Sequence, residues 1–157
     1  MRSLVLIADD VAVAQRVRSA LRYAAALRFE ATLDARATVG EEIVRLAPDV
    51  VLVADSCQRV NTIRRLREVR RGAPAATLLL LSSSTGGSSD DAFGCGADGI
   101  VSPAADGAAL GMLLGQIGLG HLQFAHRPEQ ELPALDPGVP PLRVVAGQDA
   151  RGTRANA

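Results

Sequence analysis

The stretch Pro48–Cys57, PDVVLVADSC, decides the fold of this chain. Its apolar run Val50–Ala54 ends at Asp55. An unbroken, valine-rich run of this length is typical of a strand that is buried on both faces at the centre of a parallel sheet. A polar side chain at the carboxyl end of such a strand lies where open α/β sheets form their ligand crevice. Asp55 is therefore the first candidate functional residue.

Four further stretches have strand patterns, and helical patterns alternate with them. The predicted strands are Leu4–Ala8, Phe29–Ala35, Val50–Ala54, Ala75–Leu81 and Ile100–Val101. Short βα connections of this kind predict a doubly wound α/β domain, in which helices cover both faces of a five-stranded parallel sheet. The predicted helices are a segment with Val13, Val17, Ala20, Leu21 and Ala24 on one face, a short helix capped by Thr38, the segment Gln58–Arg71, a short helix at Asp90–Phe93, and a last helix that begins at Asp106.

Two more of these helices have apolar faces that can be assigned from the sequence. In Gln58–Arg71 the residues expected to point inward are Val60, Ile63, Leu66 and Val69. In the last helix they are Leu110, Leu113, Leu114 and Ile117.

Composition favours one domain with a tail. We expect a domain at 1–122 and a flexible tail at 123–157, because residues 128–141 hold five of the eight prolines. Seventeen acidic side chains balance seventeen basic ones, all of them Arg, so no net charge attracts nucleic acid or an anionic membrane. Asp9 and Asp10 interrupt the short apolar stretch at the start of the chain, so it does not have the pattern of a signal peptide. No apolar run is long enough to span a membrane. We expect a cytoplasmic protein.

The two cysteines, Cys57 and Cys95, form no metal-binding pattern and are expected to be buried small hydrophobic residues. His121 and His126 lie five residues apart, with no further Cys or His nearby, and do not indicate a metal site.

Several short motifs occur in a specific order along the chain. Asp9-Asp10 follow the first strand, PDVVLVAD contains the third, Ser82 follows the fourth, and GADG lies at 96–99. In this order the motifs resemble a response-regulator receiver domain, which has a flavodoxin-like fold. The resemblance covers residues 1–122 and is closest to receivers that precede a helix-turn-helix output domain. It implies phosphoryl transfer onto an aspartate, with Mg²⁺ held by Asp9, Asp10 and Asp55 and with Ser82 as the switch hydroxyl.

The chain departs from this family pattern at three positions. Counted from Pro48, the acceptor position falls on Ala54, and Asp55 comes one residue late. One residue of slip turns a strand side chain to the other face, unless a bulge or a longer turn restores it. A simpler role for Asp55, or for Ser56, is the N-cap of the next helix.

The other two departures lie after the fifth strand. The expected Lys is replaced by Ser102 or Pro103, and Ile100 stands where the family has an aromatic residue. The sequence contains no Lys that could substitute. Together with the displaced acceptor, these changes predict a degenerate receiver.

The expected function is therefore signal transduction by protein–protein contact, without enzymatic activity, with phosphorylation lost or weakened and Mg²⁺ binding weak or absent. Two alternatives remain at this stage. One is a working phospho-acceptor at Asp55 with Mg²⁺. The other, from a different class, is a small-ligand module that binds phosphate, a nucleotide or a flavin with the Ser/Gly loop 82–89, SSSTGGSS.

Two helices offer surfaces for partners. The segment Gln58–Arg71 carries six Arg, which suits either a solvated face or an acidic partner. No aromatic residue interleaves them, so direct nucleic-acid binding is not expected. The last helix is apolar on more than one side, which indicates a homodimer or a partner interface. The expected partner is a sensor kinase or a regulatory protein.

Overall fold

The structure, a computed structural model of the 157-residue chain, describes residues 1–55, 58–82, 89–102 and 106–121. Within these ranges five strands alternate with five helices, and a 3₁₀ turn at Leu21–Tyr23 extends the first helix. The strands are β1 (Arg2–Ala8), β2 (Leu27–Asp34), β3 (Val50–Ala54), β4 (Thr77–Leu81) and β5 (Gly99–Val101). The helices are α1 (Val11–Ala20), α2 (Gly40–Leu46), α3 (Arg59–Gly72), α4 (Ser89–Gly94) and α5 (Gly107–Gly118).

The sheet confirms the predicted architecture. All strand pairs are parallel, and their order is β2-β1-β3-β4-β5. β3 lies at the centre, and all five of its residues are buried. Its pairing with β1 and with β4 runs without a register shift, whereas the pairing of β1 with β2 shifts between Leu4 and Val5, where β2 has one extra residue, Glu30.

Two apolar cores lie on opposite faces of the sheet. Residues that alternate along β3 divide between them, with Val50, Leu52 and Ala54 on the first side and Val51 and Val53 on the second. The first core packs under α1 and α5, and the second under α2, α3 and α4. This separation is the three-layer arrangement expected from the sequence.

The start of α2 differs from the prediction. Thr38 does not cap this helix; its N-cap position is Val39, which has no side-chain bond of its own. The carboxylate of Glu68 in α3 accepts a hydrogen bond from Val39 N at 2.7 Å instead. One N–H at the start of α2 is thus bonded by a side chain of another element, an arrangement that local sequence does not reveal.

The buried face of α3 is also rotated relative to the prediction. Leu66 and Val69 are buried and Ile63 is partly buried, but the inward placement of Val60 was wrong, since 59% of its surface is exposed. Thr62 and Arg65 are buried instead. Both have polar partners, described below, that hold them on the sheet side.

Arg70 joins the end of α3 to the segment before β5. Its guanidinium donates to the carbonyl oxygens of Gly96 (2.7 and 3.0 Å), Pro74 (2.9 Å) and Ala76 (3.0 Å), and to Asp98 Oδ2 at 2.9 Å. Asp98 Oδ2 also accepts from Leu78 N at 2.8 Å, at the start of β4. We call this group the Arg70 clamp.

The faces of α5 follow the prediction. All four residues expected inward are buried, and Asp106 caps the helix by accepting from Ala109 N at 2.7 Å. Met112 and Leu119 remain exposed on the outer side. In the described ranges no helix is long and apolar enough to cross a membrane. Cys95 is buried, as expected, while Cys57, His126 and the predicted tail at 123–157 lie outside the described residues.

Candidate functional site

Asp55 follows the central strand directly, and side chains hold both of its carboxylate oxygens. Thr62 Oγ1 donates to Oδ1 at 2.9 Å, and Ser82 Oγ donates to Oδ2 at 2.8 Å. The guanidinium of Arg59 lies 3.5 Å from Oδ2. The backbone N–H of Asp55 donates to Leu81 O at 2.8 Å. The carboxylate is therefore fixed between the first two turns of α3 and the end of β4, and its side chain is 24% exposed.

The strand period explains why Asp55 lies on this side. Ala54, at the acceptor position of the family pattern, packs into the core under α1 and α5. The next residue along an extended chain points the other way, toward α3. The pairing of β3 continues in register through Val53 with β1 and through Ala54 with β4, and it contains no bulge that would turn Asp55 back.

Asp9 and Asp10 lie at the carboxyl end of β1 in a separate cleft. Oδ1 of Asp10 accepts from Ala12 N at 2.8 Å and so caps α1. The cleft also contains Asp34 and Arg36, which form two hydrogen bonds of 3.1 Å between their side chains. The cleft is lined by Ala8, Asp9, Asp10, Val11, Ala14, Thr32, Leu33, Asp34 and Arg36.

Asp34 and Arg36 form an exposed ion pair in this cleft. The side-chain hydrogen bond from Arg36 holds the pKa of the Asp34 carboxyl below its usual value, and the same contact raises the pKa of Arg36. The negative charge of Asp9 adds a smaller contribution that also raises the pKa of Arg36. The guanidinium in the lining of this cleft is thus paired with Asp34.

The structure brings together two of the four predicted site residues, Asp55 and Ser82, and places Asp9 and Asp10 in another cleft. Among the described side chains, no three of His, Cys, Asp and Glu lie close enough together to hold a metal ion. In this arrangement the three carboxylates do not fit Mg²⁺, which needs several oxygen ligands around one point. Metal binding by Asp9, Asp10 and Asp55, and phosphorylation of Asp55, stay predictions.

Two contacts of Asp55 were not expected from the sequence. Arg59 and Thr62 lie four and seven residues after Asp55, and both side chains point back toward it from the start of α3. Asp55 itself is not the N-cap of α3, a position that Gln58 occupies. Because Asp55 lies before the start of α3, the helical i+4 spacing does not by itself predict these contacts.

Other predicted features fall at or beyond the limits of the described chain. Ser102 follows β5, at the position where the family pattern has Lys. Ser56, the loop at 83–88 with its hypothetical phosphate cradle, and Pro103 lie outside the described residues.

Comparison with solved structures identifies the fold as that of receiver domains. The receiver domain of the response regulator NarL from Mycobacterium tuberculosis is 19% identical, with a TM-score of 0.65 over 76% of this chain and 97% of that one. The receiver domain of RcsB from Salmonella enterica is 14% identical, with a TM-score of 0.63 over 76% of this chain and 89% of that one.

A third similar structure belongs to a protein from Burkholderia pseudomallei that is described as pilus assembly-related. It is 16% identical, with a TM-score of 0.64 over 80% of this chain and 95% of that one. No protein-family model matches the sequence, and no curated protein matches it either. At these identities the likeness shows a shared fold.

Proposed function

We propose that this chain is a receiver-like signalling domain that acts through contact with another protein and in which aspartyl phosphorylation is lost or weakened. The observation that carries the proposal is the engagement of Asp55 by Thr62 and Ser82. The receiver fold supports a role in signal transduction, and the chemistry around Asp55 favours a form of it without phosphoryl transfer.

Two features weaken Asp55 as a nucleophile. An attacking carboxylate oxygen needs a lone pair directed at phosphorus, but hydroxyl donors and the nearby Arg59 draw electron density toward themselves on both oxygens. The chain also has no Lys to pair with the phosphoryl charge, a contact typically worth about 1.5–3 kcal/mol. Both features raise the barrier to phosphorylation.

The contact of Ser82 with Asp55 favours one fixed state in place of a switch driven by phosphorylation. In the family pattern this hydroxyl would bond to a phosphoryl group once it is attached. Here Ser82 Oγ donates to the unmodified carboxylate of Asp55 and is already held against the crevice. The domain would then present one surface permanently, and its signal would depend on the presence of the partner.

A protein partner, either a sensor kinase or a regulatory protein, is the counterpart that fits this role, and we place the domain in the cytoplasm without enzymatic activity. The same fold occurs in response regulators and in a protein described as pilus assembly-related. A domain that binds a partner protein is compatible with both kinds of protein.

The same domain is proposed to form a homodimer through α5. Met112 and Leu119 are 67% and 59% exposed on this helix, and Tyr23 of the 3₁₀ turn beside them is 64% exposed. Together with Ala25, Ala26, Gly115 and Gln116 they line one groove. An apolar surface of this kind favours burial against a second copy.

The test is phosphorylation by a small acyl phosphate with Mg²⁺, measured by intact mass. We expect no added phosphoryl group under conditions that fully modify a receiver with an intact Lys. A gain that vanishes in Asp55→Asn would instead establish Asp55 as a working acceptor. A gain that persists in Asp55→Asn would place the acceptor elsewhere, and would equally contradict the loss of phosphorylation.

A further inference from the structure

The six arginines of α3 divide into two sets. Three turn inward and bind acidic side chains of the domain, at 3.5 Å for Arg59 with Asp55, 3.2 Å for Arg65 with Glu68, and 2.9 Å for Arg70 with Asp98. Arg64, Arg67 and Arg71 are exposed instead. They have no hydrogen bond or ion pair with any residue in the described part of the chain. Three charges of α3 therefore maintain the fold, and three are available to a ligand.

The three exposed arginines form one line along the helix. Spacings of three and four residues place them on the same face, and a rise of 1.5 Å per residue gives the line a length of about 10 Å. We call Arg64, Arg67 and Arg71 the α3 stripe.

Apolar side chains flank the stripe at both ends. Val60 lies one turn before Arg64 on the same face and is 59% exposed. Beyond Arg71, Val44 of α2 is 62% exposed, and its Cγ2 lies 3.3 Å from the position that a Cβ on Gly72 would take. The surface is thus a basic line with an apolar residue at each end.

The acidic residue of α3 does not neutralise the stripe. Glu68 faces away from it, since Oε2 accepts from Val39 N at 2.7 Å and Oε1 pairs with the buried Arg65. Guanidinium groups that keep no internal carboxylate are suited to bind external carboxylates in pairs of parallel hydrogen bonds.

We infer that the α3 stripe is a docking surface for an acidic helical segment of a partner protein, with carboxylates on successive turns and an apolar residue at each end. This inference rests on the proposed protein-contact function and names the chemistry of the partner. A protein segment fits better than nucleic acid for two reasons. Val60 and Val44 offer no contact for phosphates, and the chain has no net positive charge to attract a polyanion.

The test uses a fluorescein-labelled helical peptide with Glu on three successive turns and Leu at both ends, and it measures binding by fluorescence anisotropy. The stripe variant replaces Arg64, Arg67 and Arg71 by Gln. The matched control replaces Arg22, Arg28 and Arg45, three exposed arginines outside α3, and so changes the net charge equally. We expect the stripe variant to bind at least ~10-fold more weakly and the control within ~2-fold of wild type. Unchanged thermal unfolding of both variants confirms that they remain folded.

Four results would overturn the inference. They are no binding of the peptide to wild type up to ~1 mM, an equal loss in both variants, equal binding of a peptide with Gln in place of Glu, and tighter binding of a DNA duplex than of the acidic peptide. Each leaves the phosphorylation test of the proposed function unaffected, because that test concerns Asp55 alone. A phosphorylated Asp55 would in turn contradict the proposed function without bearing on the stripe.

Discussion

Ser82 Oγ donates a hydrogen bond to Asp55 Oδ2 across 2.8 Å, so side chains as well as backbone join the carboxyl ends of β3 and β4. The hydroxyl that the family pattern assigns to the phosphoryl group is thus bonded to the unmodified carboxylate. Because Ser82 is only 5% exposed, water cannot readily replace this partner.

Ser82→Ala should lower the free energy of unfolding by about 1.5–3 kcal/mol, the usual contribution of a hydrogen bond to a charged group. Urea denaturation measures the change. Ser19→Ala on the exposed side of α1 serves as the control and should cost nothing. In an Asp55→Ala background the cost of Ser82→Ala should fall to near zero. Equal costs in both backgrounds would show that the bond contributes no stability.

Arg70→Ala should destabilise the domain by about 3 kcal/mol, because it removes the donor to three carbonyl oxygens and the charged partner of Asp98. Arg71→Ala removes the same charge from the next, exposed position and should change stability by less than about 0.5 kcal/mol. Arg70→Lys should fall between them, since one ammonium group cannot reach all the acceptors. If thermal unfolding showed that Arg71→Ala destabilises the domain as much as Arg70→Ala does, that result would contradict the stabilising role of the Arg70 clamp.

Glu68→Ala should cost about 3–5 kcal/mol, because it leaves the guanidinium of Arg65 buried without its carboxylate. Nε and Nη1 of Arg65 already have no hydrogen-bond partner among the described residues, so little remains to compensate the charge. Arg65→Met combined with Glu68→Ala should recover more than half of the loss. Chemical denaturation of both variants measures this, and a double variant no more stable than Glu68→Ala would exclude buried charge as the cause.

Gly111→Ala should disrupt the packing of α5 on α1. A Cβ at Gly111 would lie 2.4 Å from Ala20 O and 2.8 Å from Tyr23 Cβ, so the helices must move apart at a cost of about 1–3 kcal/mol. Gly115→Ala is the matched control one turn later, where the nearest atom would be at an ordinary 3.5 Å. That variant should gain about 0.5–1 kcal/mol from helix propensity. Similar melting temperatures for both variants would be inconsistent with this close approach.

Sedimentation of the wild-type chain should reveal a monomer–dimer equilibrium that depends on concentration. Met112→Glu should shift it to monomer, because a charge would then lie in the apolar groove between α5 and the 3₁₀ turn. Ala108→Glu, exposed one turn earlier on α5 and outside the groove, should leave the equilibrium unchanged. A wild-type monomer at every concentration would eliminate the homodimer.

The elements and their order could be predicted because each depends on local periodicity. The run Val50–Ala54 identified the central strand, and apolar residues three and four apart identified the inner face of α5. Where burial alone decides the conformation, the sequence is sufficient.

The direction of Asp55 could not be predicted because it depends on strand register and on residues far along the chain. Whether Asp55 faces α3 or the Asp9 cleft depends on one residue of register and on Thr62 and Ser82 as hydrogen-bond donors to its carboxylate. The inward placement of Val60 was wrong for a related reason. Hydrophobicity alone favours Val60 over Thr62 and Arg65 as a buried residue. In the structure, the polar partners of Thr62 and Arg65 determine which side of α3 faces the sheet.

The Arg70 clamp has a mechanical consequence. The turn before β5 cannot shift relative to α3 without breaking the hydrogen bonds of Arg70 to Gly96 and Asp98, so we expect α3 and this turn to move together. Arg71, the next residue, belongs to the exposed stripe. A displacement of α3 by a partner at its outer face would therefore be transmitted to the edge strand β5 by the guanidinium of Arg70, by a route that does not include Asp55.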